Sequence, residues 1–83
     1  MYKNRGTDGR CNLCGNRVAK MRKEMNPKLS QRAFADLLQL AGLDVDKNAV
    51  QRIESGQRFV TDIELKVLAR VLNTTTDALL NGE

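Results

Sequence analysis

The chain has 83 residues, a length that fits one domain with a single modest core and leaves no room for a separate catalytic or effector domain. Hydrophobic residues at 41% and charged residues at 29% are ordinary for a soluble globular protein, and no apolar run approaches the ~18–20 residues of a membrane span. The net charge of +4 is unevenly spread, with eight Lys/Arg against two acidic residues in 1–28 and six against eight in the remainder. A basic front end suits phosphate attraction; it equally suits a solvated tail that keeps the protein soluble. Met1-Tyr2-Lys3-Asn4-Arg5 leads into no apolar signal region, so a cytoplasmic location is expected.

Residues 1–11 combine two glycines with excess positive charge and no apolar periodicity, and read as a flexible basic arm. Its Lys3, Arg5 and Arg10 can follow a nucleic-acid backbone or enter a minor groove; the plainer alternative is a disordered tail. Residues 12–83 form the domain. From Asn12 the pattern turns helical, with Leu13/Cys14, Val18, Met21 and Met25 at three- and four-residue steps, and Pro27 ends that helix. Cys11 and Cys14 make a lone C-x-x-C. Tetrahedral zinc needs two more ligands, and the chain has no histidine and no second pair; a redox motif wants a strand–helix unit that is not predicted. Cys14 reads first as a small buried hydrophobe, with an adventitious or dimer-shared metal site and a redox role as the alternatives.

Ser30 caps a second helix with Phe34, Ala35, Leu37, Leu38 and Ala41 as its buried stripe, and Gly42 is its left-handed terminator. Leu43-Asp44-Val45 makes the connection, with both apolar residues tucked into the core. Asp46 caps the third helix, whose Val50 and Ile53 face inward and whose Lys47, Asn48, Gln51 and Arg52 face out. Glu54-Ser55-Gly56 closes it, and residues 57–60 are a loop. Thr61 and Glu64 form a capping box for a fourth helix lined by Ile63, Leu65, Leu68, Ala69 and Leu72. Asn73 stops it, and Thr75 caps a last helix over 76–81 with Leu79 and Leu80 inward. Five short helices without a convincing strand give an all-α bundle.

Two short helices, the second with a long-armed polar face, are a shape that fits a DNA major groove. Residues at the start of a helix in that groove reach base edges first. Lysine suits guanine O6 and N7, Asn bonds adenine N6 and N7 together, and Arg makes the bidentate guanine contact, each good bidentate pair adding roughly 1–3 kcal/mol of discrimination. Lys47, Asn48 and Arg52 therefore stand as base readers with Gln51 secondary; the plainer alternative is a solvated helix face. Gln31 at the start of the second helix, with the free N–H groups there, is placed for a phosphate, and Arg32 assists.

Several signatures in order resemble the lambda-repressor/Cro-like helix-turn-helix proteins, the XRE family. They are Leu29-Ser30-Gln31 with Phe34-Ala35, then Val50 with Arg52-Ile53-Glu54 and Gly56, then Leu68-Ala69, Leu72, Thr75 and Leu79-Leu80. The resemblance spans about residues 12–82 and implies a five-helix lambda-repressor-like DNA-binding bundle. It implies a phosphate or minor-groove contact at Gln57 and Arg58, and a structural ion pair between Arg22 and Glu54. The family joins its two motif helices by a tight turn, whereas this chain is about five residues longer there, a lengthened helix-turn-helix.

The resulting expectation is sequence-specific double-stranded DNA binding by a small transcriptional repressor, a homodimer on a palindromic operator joined through Leu79, Leu80 and their neighbours. The alternative is an antitoxin-type helix-turn-helix protein that binds a toxin partner and represses its own operon. Enzymatic activity is not expected, since the sequence has no histidine, no nucleophile elbow and no Gly-rich phosphate loop. No cofactor or metal is expected.

Overall fold

Five α-helices organise the described residues, 9–82, of the computed structural model: α1 Gly15–Glu24, α2 Gln31–Leu40, α3 Lys47–Ser55, α4 Asp62–Val71 and α5 Thr76–Asn81. Short side chains start four of them. Ser30 Oγ accepts the Ala33 N–H (3.0 Å), Asp46 Oδ1 that of Ala49 (2.8 Å), Thr61 Oγ1 that of Glu64 (3.2 Å) and Thr75 Oγ1 that of Ala78 (3.0 Å). Each satisfies an amide that the helix leaves without a partner and adds about 1 kcal/mol. The Thr61–Glu64 box is closed reciprocally, because the Thr61 N–H donates to Glu64 Oε1 (2.9 Å).

Helix ends are equally local. Gly42 (φ +95°) and Gly56 (φ +80°) take the left-handed conformation that glycine tolerates, letting Leu43 N–H reach Leu38 O and Gln57 N–H reach Arg52 O. Asn73 (φ +56°) does the same after α4.

The apolar stripes of all five helices meet in one core. Phe34, Leu38, Ile53, Leu68, Leu79, Val18, Val50 and Cys14 are fully buried there. The third helix packs on α1 and α2, and α4 packs on α2 and α5. Val45 is buried in the α2–α3 connection and Leu43 half-buried. Among the described residues, no helix is long and apolar enough to cross a membrane.

Four expectations need correction. The first helix begins at Gly15 rather than Asn12, because Asn12 Oδ1 accepts the Gly15 N–H (2.8 Å) and holds residues 12–14 in a capping turn. Leu13 is consequently turned out to solvent. Ile63, predicted to line the inside of α4, is 72% exposed. It stands two residues from Leu65, across the helix from it, and both cannot face one core. Leu37 lies at the margin of the α2 stripe and is exposed.

Candidate nucleic-acid interface

The third helix divides cleanly along its length. Val50 and Ile53 are buried and Ala49 is half-buried, while Lys47, Asn48, Gln51 and Arg52 are all exposed on the opposite side. These four residues recur at one- and three-residue steps and so share one face over two turns. Arg32, in the first turn of α2, is exposed as well, across a cleft of about 300 Å³ from Lys47 and Asn48. Asp36, Gln39 and Asp46 also line that cleft.

The connection between α2 and α3 is held by its own bonds. Gln39 Nε2 donates to Val45 O (2.8 Å), the Leu43 N–H donates to Leu38 O (2.9 Å), and the Val45 side chain is sunk in the core.

A buried ion pair fastens the other end of α3. Arg22 Nε donates to Glu54 Oε2 (2.7 Å) and its Nη2 to Oε1 (3.0 Å), while Nη1 donates to Leu29 O (2.8 Å). The Gln31 Nε2 donates to the same Glu54 Oε1 (3.0 Å). One carboxylate thereby joins α1, α2 and α3. Among the described residues, no buried side-chain nitrogen or oxygen lacks a partner, which is what a buried charge pair requires. Gln31, expected at a phosphate, turns its amide N–H to this pair instead.

Gln57 and Arg58 follow α3. Gln57 is exposed; Arg58 is partly buried against Glu64, with Nη2 donating to Oε2 (2.9 Å) and Nη1 to Oε1 (3.2 Å). Burial acts to raise the Glu64 pKa. The Arg58 bonds and charge, with the Thr61 N–H and hydroxyl, outweigh it and hold that carboxyl below its ordinary value. Arg58 is thus partly exposed, with part of its charge already compensated.

The arm residues Lys3 and Arg5 lie outside the described residues. Arg10 does not reach away from the body: Nη1 donates to Ser55 O (3.2 Å) and Nη2 to Glu54 O (2.9 Å). Asn12, expected only as a helix start, donates Nδ2 to Ile53 O (3.0 Å) and Arg58 O (2.8 Å). Asn three residues before a helical Gly was a capping signal; nothing local marked its partners some forty residues on.

Cys11 and Cys14 are free thiols, the first half-buried and the second buried. Burial pushes the Cys14 thiol above its ordinary pKa, so at neutral pH it fills core volume as an uncharged group. Among the described residues, no three His, Cys, Asp or Glu side chains gather as a metal site would require.

A protein-family model described as helix-turn-helix matches residues 18–79, from the middle of α1 into α5. The chain belongs to this helix-turn-helix family. Its fold is similar to that of the P22 c2 repressor, solved in complex with the synthetic operator 9T in the presence of Tl+. The TM-score is 0.69 at 25% sequence identity, over 87% of this chain and 98% of that one. No curated protein matches the chain. Within the helix-turn-helix frame α2 and α3 are the motif pair, and the open polar face belongs to its second helix. The XRE-type, lambda-repressor-like bundle is therefore the architecture of this chain, with a connection of residues 41–46 between the motif helices.

Proposed function

We propose that the protein is a sequence-specific double-stranded DNA-binding transcription regulator, a cytoplasmic repressor acting as a homodimer on a palindromic operator. One observation carries the reading. The second motif helix is anchored by Val50, Ile53 and the Arg22–Glu54 pair, and it leaves Lys47, Asn48, Gln51 and Arg52 exposed on one face. Likeness to a repressor solved on its operator adds support. Lys47, Asn48 and Arg52 are then the base readers, with Gln51 beside them. Arg32, Gln57 and Arg58, with Gln31 and the amides at the start of α2, set register on the phosphates. A single domain of this size makes few contacts, and a second copy one helical turn along doubles them. Leu79 is wholly buried in the core, so a dimer surface near α5 rests on Leu80 and its exposed neighbours.

A second reading, an antitoxin-type protein that also holds a protein partner, draws on Leu40. It is 86% exposed at the end of α2, near the exposed Leu37. Leu37 and Leu40 stand three residues apart and so on one side of α2, and exposed apolar side chains grouped in this way favour protein contacts.

Selection from a random duplex pool at about 150 mM salt tests the main reading. Enrichment of a palindrome with half-sites ~10–10.5 base pairs apart is the expected result. Weak, salt-sensitive retention without enrichment would contradict sequence-specific binding and turn attention to the protein partner.

A further inference from the structure

We infer that residues 10–12 form a strap that sets the angle of α3 against a duplex, with Arg10 and Asn12 as positioning residues. The inference rests on the DNA-reading role proposed above.

An α-helix leaves its last four carbonyls without intrahelical partners. At the end of α3 the Gln57 N–H takes Arg52 O (2.8 Å) and the Gly56 N–H reaches Ile53 O (3.1 Å); the strap adds to Ile53 O and takes up the carbonyls after it. Ile53 O accepts from Asn12 Nδ2 (3.0 Å), Glu54 O from Arg10 Nη2 (2.9 Å), and Ser55 O from Arg10 Nη1 (3.2 Å). Gly56 O, just beyond the helix, accepts from the Cys11 N–H (2.8 Å). Three consecutive residues thus cover four consecutive carbonyls. The Arg10 guanidinium lies so close over Gly56 that a Cβ there would sit 2.6 Å from its Cζ. A cation at this end of a helix is also favoured by the helix dipole.

Asn12 does more than cap. Its second Nδ2 bond, to Arg58 O (2.8 Å), reaches the loop leading to α4, and its Oδ1 accepts the Gly15 N–H that opens α1. One amide side chain therefore ties the start of α1, the end of α3 and the following loop. Contact there is backbone to backbone, since a Cβ on Gly15 would overlap the Ile53 carbonyl oxygen.

The consequence is geometric. The base-reading residues begin at Lys47, at the far end of α3 from the strap. Over a helix of ~13 Å, a tilt of about 5° at the fixed end moves the first turn by about 1 Å. Bidentate base contacts do not survive such a displacement, whereas long side chains reaching phosphates adjust to it. Loss of the strap should accordingly lower specific affinity and spare non-specific affinity. A direct Arg10–phosphate contact would show the opposite pattern, an even loss with a reduced salt slope.

The experiment compares the full chain with Asn12→Ala and Arg10→Ala on two duplexes, the best one recovered by selection with the wild-type protein and a shuffled version of it. Binding is titrated across a salt series well below the melting temperature of each protein. Roughly tenfold weaker binding to the selected duplex is expected, with the shuffled duplex within twofold and the salt slope unchanged. Equal losses on both duplexes with a slope reduced by about one for Arg10→Ala would overturn the inference in favour of a phosphate contact. Unchanged binding to both with a lowered melting temperature would overturn it in favour of a purely stabilising cap. Should Asn12→Ala fail to fold, Arg10→Ala carries the comparison, because the Cys11 and Asn12 bonds to α3 remain in place. Absence of any preferred duplex for the wild-type protein would instead defeat the DNA reading itself, a separate and recognisable result.

Discussion

The two ends of α3 are built to opposite rules. Its last turn is bonded from every side: Arg22 and Gln31 hold Glu54, and Arg10, Cys11 and Asn12 occupy the final carbonyls. Its outer face, from the first turn along to Arg52, exposes Lys47, Asn48, Gln51 and Arg52, polar side chains with donors to offer. On the proposed function, the difference is how a domain this small would aim a reading surface. Rigidity is concentrated where the helix joins the body, and adaptable polar groups are left where another molecule would dock. Substitutions at the two ends should therefore fail in different ways.

The largest effect is expected at the closed end. Glu54→Ala leaves the Arg22 guanidinium buried without its carboxylate and should cost about 3–5 kcal/mol in chemical denaturation. An Arg22→Met, Glu54→Leu double variant should recover much of that stability, since it removes the uncompensated charge. A Glu54→Ala protein as stable as the parent would show that the last turn of α3 does not depend on this pair. On the open face Arg52→Ala should leave stability within about 0.5 kcal/mol. It should instead lose roughly 1–3 kcal/mol of preference at one or two base pairs, measured by competition between singly altered duplexes.

Asp46→Ala sits between these extremes, at the hinge where the connection becomes α3. Loss of its bond to the Ala49 N–H should cost about 1 kcal/mol and loosen the first turn, visible as faster amide exchange of Ala49. The smallest effect is expected at Glu64. Its carboxyl titrates below the ordinary value of 4.5 in the folded protein, so the stability it contributes is present above that value and drains away as pH falls through the folded pKa. Glu64→Gln should flatten this part of the acid-denaturation curve. It should also release Arg58 from its ion pair, raising affinity for all duplexes alike and steepening the salt dependence. An unchanged salt slope would show that Arg58 lies away from phosphate.

Much of this architecture was legible because it is local. Ser30, Asp46, Thr61 and Thr75 cap by reaching three residues along the chain, and Gly42, Gly56 and Asn73 end helices through their own backbone angles. The polar face of α3 followed from helical period alone. The strap was hidden because Arg10 and Asn12 meet partners more than forty residues away, and an arginine beside Gly9 in a basic stretch looks like part of a tail. The Arg58–Glu64 pair was missed because it spans a loop and Glu64 already had a role in its capping box. Ile63 and Leu37 misled for another reason. Periodicity marks which residues are able to face a core, and packing decides how many of them do.

The proposed function stands or falls with base reading by the open face of α3. Parallel selections from one random duplex pool, with the wild-type protein and with Arg52→Ala, test it most directly. A palindromic preference is expected for the wild type and, for the variant, the same pattern with one or two positions per half-site lost. An identical preference from both proteins, at equal affinity, would contradict it.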